Sequence, residues 1–467
     1  QKKQLIWQFL SESVLTAVIS AVIAILLVYA SIGWFNQLAA KQMQILWTDP
    51  LFWILLGSFT LLTGLMAGSY PAFYLSSFQP VKVLKGTFKA GRFSGTPRRV
   101  LVVLQFTVSI VLIIGTIVVL RQIEHARNRP VGFARNGLIQ VFINTPELRG
   151  HYDLLRGDLL KTGVVADMGQ SSSPVTDLWA SQIGFSWQGM DPNFVPVFGT
   201  TAVTHDFGNT VKWEVTAGRD FNRNFATDST ALVLNEAAVA LTGFKDPVGQ
   251  NITWGDTRFH VIGVVKNILM TSPFEQAMPG VFLLSYDWSQ VINIRIKESE
   301  TLPAALASIE KVFRKHDPGS PFEYKFADEM YGKKFAAEEK IGKLGAFFAA
   351  LAIFISCLGI FGLASYVAEQ RNKEIGVRKV LGASVLSIWQ LLSKDFLVLV
   401  FIAFLLSAPL GWLFMRSWLQ SYEYRTSLSW WIFAVALGGA LLITITTVSY
   451  QAIRAALMNP VKSLKTE

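Results

Sequence analysis

Long apolar runs alternate along this chain with one extended polar region. Six stretches contain no Asp, Glu, Lys or Arg: 13–40, 50–81, 100–120, 344–368, 396–415 and 426–453. Each is close to or longer than the roughly 20 residues a helix needs to cross about 30 Å of hydrocarbon. A single such run would also suit a buried helix of a large soluble protein. Six of them in two clusters do not, because hydrophobicity all round a helix leaves no face for water. The region between the clusters, 122–342, is patterned as a water-soluble domain large enough to bury its own core. Within it, Ile292, Ile294 and Ile296 alternate with Asn293, Arg295 and Lys297, which predicts a half-buried strand. Phe259, Val261 and Ile262 open a second strand run towards Lys266. Residues 303–316 predict a helix with Leu306, Ile309, Val312 and Phe313 on one face. A charge-rich helical stretch over 327–345 is expected to lead directly into the fourth span, so that motion in the membrane can reach the domain. The fold class expected is membrane α-helical, with about six transmembrane helices and an inserted α/β (α+β) domain.

Charge fixes an orientation. The formal net charge of +10 over 467 residues would ordinarily raise nucleic-acid binding. The region 122–342, however, holds 21 basic and 25 acidic residues, so the excess positive charge belongs to the membrane-associated parts and nucleic acid is not an expected partner. There it is one-sided. Lys2, Lys3, Lys82, Lys85, Lys89, Arg92, Arg98, Arg99, Arg371, Lys373, Arg378, Lys379, Arg454, Lys462 and Lys465 share one side if the spans alternate. The opposite short loops hold little more than Lys41 and Arg425. The positive-inside rule makes the basic side cytoplasmic, with both termini inside and the large domain outside. The single Cys357 lies within a span, where packing is the ordinary role of a thiol, and no disulfide framework supports the outer domain. No cleavable signal peptide is evident, since the first apolar run is too long and lacks a small-residue cleavage site.

The two ends of the chain resemble each other. Ile6, Trp7, Gln8, Leu10, Ser11 and Leu15 recur as Ile388, Trp389, Gln390, Leu392, Ser393 and Leu397. Ser69, Tyr70, Ala72, Pro80, Val81, Lys82, Leu84 and Lys85 recur as Ser449, Tyr450, Ala452, Pro460, Val461, Lys462, Leu464 and Lys465. Polar punctuation at matching distances is not a product of chance apolar similarity, so two spans and their cytoplasmic tail form an internal repeat. The second copy is preceded by a span and a charged loop. The first is not, so the chain is expected to be the C-terminal part of a longer protein of eight spans.

The loop between the fourth and fifth spans suits a short interfacial helix. Ile375, Val377, Val380 and Leu381 offer an apolar surface, Arg371, Arg378 and Lys379 offer cations, and Gly382 supplies a helix stop. A positive-inside loop with no further role fits the same composition. Glu374, Ile375, Gly376, Val377, Arg378, Lys379, Val380, Leu381, Gly382, Ala383 and Ser384, followed by Ile388-Trp-Gln-Leu-Leu392, resemble the signature of the FtsX-like permease domain of MacB-type ABC transporters. Gly218-Arg-Asp-Phe221, Leu234-Asn-Glu-Ala-Ala238, Asp246-Pro-Val-Gly249 and Val261-Ile-Gly-Val-Val-Lys266 are similar to the MacB-like periplasmic core domain.

The resemblance implies a domain order. Residues 1–96 would be the C-terminal part of a first permease repeat, 97–121 a span, 122–342 the periplasmic core domain, and 343–467 a second permease domain with three spans. It further implies an inner-membrane protein whose 374–384 loop couples to a cytoplasmic ABC ATPase, itself a dimer. Export of, or mechanical work on, a substrate in the periplasm would follow, with a periplasmic adaptor or outer-membrane protein as a further partner beside the lipid bilayer. ATP and its Mg ion are expected on the ATPase, since no G-x-x-x-x-G-K-[ST] loop occurs in this sequence and the chain should not hydrolyse ATP itself. No cofactor, metal or catalytic residue is assigned. His125, His151, His205, His260 and His316 are scattered, and neither a His-Glu-x-x-His nor a Gly-x-Ser-x-Gly motif occurs. Gly218-Arg-Asp-Phe221 is expected to be a turn closing on a buried Phe221. Gly64 with Gly68, and Gly359 with Gly362, place small residues where helices can pack closely. Two other classes remain. A membrane sensor with an extracytoplasmic ligand-binding domain lacks a cytoplasmic output module, and a membrane-anchored enzyme lacks active-site motifs.

Overall fold

The computed structural model of the chain describes residues 2–76 and 96–457. Contacts divide it into two compact units, one of residues 1–117, 340–413 and 429–467, the other of residues 118–339 and 414–428. The repeated tails at 80–85 and 460–465, and the basic residues Lys82, Lys85, Lys89 and Arg92, lie outside the described residues.

The first unit is helical. Its long helices are α1 (Lys2–Ala39), α2 (Pro50–Ser76) and α3 (Thr96–Arg127), the last ending in the second unit. Among the described residues, six helices are long and apolar enough to cross a membrane, matching the six charge-free runs. Local chemistry sets some of their ends. Asp49 accepts the Leu51 N–H at 2.9 Å and caps α2, whose first residue is Pro50, the position where a missing N–H costs least. The repeat agrees with the structure: moving the end of α1 and the start of α2 along by the two repeat offsets brings them within about two residues of the end of the fifth span and the start of the sixth. Gly64 and Gly68 face α1, where an added Cβ would come within 2.8 Å of Val14 and of Ser13. Their spacing therefore serves close packing, as small residues in membrane helices do. Gly359 approaches Gln105 as closely, but Gly362 faces open space. A buried Ser109–Ser356 hydroxyl contact of 3.0 Å joins α3 to the fourth span.

The second unit is built on a sheet. Its strands are β1 (Leu138–Phe142), β2 (Val165–Ser171), β3 (Ser181–Gln182), β4 (Phe185–Trp187), β5 (Phe198–Val203), β6 (Val215–Gly218), β7 (Ala231–Asn235), β8 (Asn251–Trp254), β9 (Thr257–Val265), β10 (Gly280–Leu284), β11 (Val291–Ile296) and β12 (Lys325–Phe326). They run in the order β12-β1-β11-β2-β5-β10-β7-β9-β8-β4, with β3 on β5 and β6 on β9. Only β10 with β5 and β7 with β9 are parallel among the described pairs. Helices α4 (Tyr152–Lys161), α5 (Phe207–Val211), α6 (Glu236–Thr242), α7 (Leu302–His316) and α8 (Ala327–Lys333) accompany the sheet. One core lies where α4 and α7 cover Ile139, Val141, Met168, Ile292 and Ile294. Ile309 and Phe313 are buried in it, as the helical spacing predicts.

Two expectations change. β11 is not half-buried: all six of its residues are buried, Asn293 and Arg295 included. On the second face Gln140 donates to Asn293 at 2.7 Å and Asn293 donates to Ser171 at 2.9 Å, so a polar ladder replaces water. Arg295 donates to the carbonyls of Thr210, Asn136 and Ala134, and burial lowers its pKa to about 10. The stretch 327–345 is also not one helix. α8 ends at Lys333, a turn follows, and α9 (Ala336–Gln370) begins afresh. The Lys334 ammonium, donating to the carbonyls of Met270 and Thr271, pins that turn.

Candidate functional site

The loop singled out by its sequence folds as helix α10 (Asn372–Val380), followed by α11 (Val385–Leu419) and α12 (Trp430–Leu457). Its end follows from Gly382, which takes φ +89, a conformation that a Cβ would strain. Ala383 N–H then reaches Arg378 O at 2.9 Å and Gly382 N–H reaches Lys379 O at 3.1 Å, the paired bonds of a Schellman stop. Two residues on, the Ser384 hydroxyl accepts from Ser387 N–H at 3.2 Å and caps α11. The loop thus makes a defined helix–turn–helix.

Three polar links hold it. Arg371 pairs with Asp395 of α11 at 2.9 Å, Lys379 donates to Ala456 O of α12 at 2.7 Å, and Glu374 pairs with Arg378 within α10 at 2.8 Å. The apolar positions divide. Ile375 is 3% exposed and Gly376 is buried, whereas Val377, Val380 and Leu381 are 49%, 65% and 81% exposed. Ile375 is the anchor to the chain itself, and the other three form a small apolar surface flanked by Arg378 and Lys379. All of the expected loop residues are therefore brought together on one helix and its stop.

The inserted domain carries a second polar arrangement that the sequence did not single out. Asp206 accepts from Tyr152 Oη at 2.9 Å and from Arg223 at 2.8 Å, with Arg156 at 3.2 Å. Burial opposes ionisation of Asp206, but the bonds from Arg223 and Tyr152 outweigh it and hold its pKa below the ordinary value. Burial pushes the Tyr152 phenol far up. His205 Nδ1 lies 2.7 Å from Tyr286 Oη, and burial, then Arg223, lowers the pKa of the imidazole. Of these groups, Tyr152, His205, Arg223 and Tyr286 border an open cleft of about 820 Å³. Its residues come from positions 143 to 289 and share no local motif, so no sequence signal could have assembled them.

The remaining motifs are structural. Phe221 is buried as expected and Arg219 forks onto the buried Asp228 at 2.8 and 2.6 Å, but Gly218 ends strand β6 and no turn forms over 218–221, because Gly218 stays paired with Gly263 of β9. Asn235 caps α6 through Ala238 N–H at 2.8 Å and also accepts from Gly280 N–H at 2.7 Å. No cluster of His, Cys, Asp and Glu suited to a metal occurs among the described residues.

Six apolar helices and a mixed sheet domain inserted between the third and fourth define a multi-pass helical membrane protein with an inserted α/β domain. The family comparisons agree with that order. The MacB-like periplasmic core domain matches residues 100–312, and the FtsX-like permease C-terminal domain matches residues 346–460. The chain belongs to the MacB/FtsX-like ABC transporter permeases. It is 24% identical over 251 residues to the macrolide export ATP-binding/permease protein MacB of Bdellovibrio bacteriovorus, covering 51% of this chain and 39% of that protein. It is 24% identical over 296 residues to the probable syringafactin export ATP-binding/permease protein SyfD of Pseudomonas syringae, covering 59% and 42%. The chain thus spans about two fifths of the length of these curated relatives. Among solved structures, the periplasmic region of MacB from Actinobacillus actinomycetemcomitans aligns over 43% of this chain and 94% of its own, at 14% identity and a TM-score of 0.31.

Proposed function

We propose that this chain is the membrane subunit of an ABC transporter that receives an ATP-driven movement from a separate cytoplasmic ATPase and passes it to the inserted domain, which acts on a substrate in the periplasm. The carrying observation is the 374–384 loop, a short helix fixed to α11 and α12 by Arg371 and Lys379 that leaves Val377, Val380 and Leu381 uncovered. A rigid element with a small apolar face and flanking cations is what a moving partner can push without losing its grip. The relatives' names join an ATP-binding part to a permease part, which supports pairing with such a motor. ATP and Mg would sit on the motor, and both termini and the loop would face the cytoplasm.

Co-purification from membranes tests the reading. The full chain is expected to bring down an ABC ATPase, Leu381→Asp to lose it, and Glu374→Ala or Arg378→Ala to weaken it about ten-fold. If no ATPase accompanies the unaltered chain, the proposal fails.

A further inference from the structure

The cleft of the inserted domain contains two buried polar groups that the protein leaves without partners. Gln170 closes the face of β2 that Met168 begins, since side chains two apart share a face of the sheet. It is 4% exposed, yet its amide Nε2 has no hydrogen-bond partner among the described residues. Ser289, at the start of the approach to β11, is also 4% exposed with an unpartnered hydroxyl. Both line the same cleft of about 820 Å³. A buried donor left unmade costs about 1–3 kcal/mol, and native domains seldom carry two in one place. The rim explains what would relieve them. Arg223 is committed to Asp206 and Asp153, whereas Arg149 donates only to the neutral Gln290, at 3.2 Å, and has no carboxylate partner among the described residues. Ile143, Leu154 and Tyr286 supply apolar wall, and Asp287 at the rim disfavours a second negative charge.

We propose that this cleft binds a ligand carrying a single carboxylate and an apolar body, the carboxylate oxygens accepting from Gln170 Nε2 and Ser289 Oγ while Arg149 balances the charge. The floor offers donors and the rim one uncommitted cation, and a carboxylate is the small group that satisfies both. A peptide C-terminus and a short-chain fatty acid present the same chemistry. The proposal stands on the cleft alone and is independent of the permease reading.

Calorimetric titration of the full chain in nanodiscs distinguishes the sources, with N-acetyl-Ala-Ala-Ala and hexanoate as probes, each beside its neutral amide. At least one acid is expected to bind saturably and its amide about ten-fold more weakly, and the tighter acid identifies the source. Gln170→Leu and Ser289→Ala should each weaken that acid about ten-fold, and Arg149→Gln should erase the preference for acid over amide. Because Gln170 Nε2 has no partner to lose, Gln170→Leu should leave the thermal midpoint unchanged or raise it. The proposal is overturned if neither acid saturates at millimolar concentration, or if Gln170→Leu and Ser289→Ala leave the titrations unaltered. It is equally overturned if Gln170→Leu lowers the midpoint by several degrees, since the amide would then have a structural partner.

Discussion

Gln122 holds the backbone around Tyr424 from both sides: its amide nitrogen donates to Tyr424 O at 2.8 Å and its amide oxygen accepts from Thr426 N–H at 2.8 Å. Gln122 is completely buried near the end of α3, and Tyr424 lies in the connection between α11 and α12. The same connection is fastened elsewhere, by Tyr424 N–H to Phe274 O at 2.9 Å, by Glu423 accepting from Gln276 N–H at 2.7 Å, and by Arg129 and His125 against the Tyr424 ring. It is built as part of the sheet-bearing unit.

Gln122→Ala leaves a half-buried carbonyl and a half-buried N–H without their partner, a cost of about 1–2 kcal/mol. Hydrogen exchange checks this. The Thr426 amide should exchange at least about ten-fold faster in the variant, while amides of β2 and β11 keep their protection. Unchanged exchange at Thr426 would mean that the Gln122 clamp carries no local stability.

Asp220 gives the inserted domain a pH dependence. Trp213 Nε1 donates to it at 2.8 Å and Phe221 N–H at 2.7 Å, but burial dominates and raises its pKa to about 6. A carboxyl whose folded pKa is raised stabilises the fold below its unfolded pKa near 3.8, and that contribution is lost as pH rises through about 6. The loss is on the order of 2 kcal/mol after allowance for partial exposure. Asp220→Asn should lower stability by about 1 kcal/mol at pH 4, where one donor loses its acceptor, and should flatten the profile between pH 4 and 7. Denaturant titrations at several pH values decide it, and parallel profiles for the two proteins would count against a raised Asp220.

Gly382 should be sensitive to any side chain. At φ +89 an L residue is strained by about 1 kcal/mol, more when β-branched. Gly382→Val is expected to fray the stop of α10 and to weaken ATPase association more than Gly382→Ala does, with little effect on the thermal midpoint of the inserted domain. Equal association for both variants would show that the partner does not read the geometry of this turn.

The membrane part was legible because lipid imposes one rule on every residue of a span, and a charge-free run of sufficient length satisfies it. The repeat was legible through polar punctuation, yet its two copies differ in packing. Trp389 donates to Ser449 at 2.8 Å, while the Ser69 hydroxyl of the first copy bonds back to Met66 O and Trp7 is exposed. In the inserted domain, alternation found β11 and misjudged its burial. Asn293 and Arg295 look like solvent positions in one dimension, and only the partners that reach them, Gln140, Ser171 and three carbonyls, make burial tolerable. The 374–384 loop was found by composition and by a resemblance, and the burial of Ile375 beside an exposed Leu381 required the fold. The cleft was invisible, since Gln170 and Ser289, far apart in sequence, come to line one cavity only in the folded domain.

Engagement of an ATPase at the α10 turn can be read from a photo-crosslinking residue placed at Leu381 in the full-length protein in living cells. One dominant adduct is expected, a cytoplasmic protein with a phosphate-binding loop, that is absent when the same residue replaces Trp430 at the start of α12. Adducts with lipid alone at Leu381, or the same adduct from both positions, would contradict it.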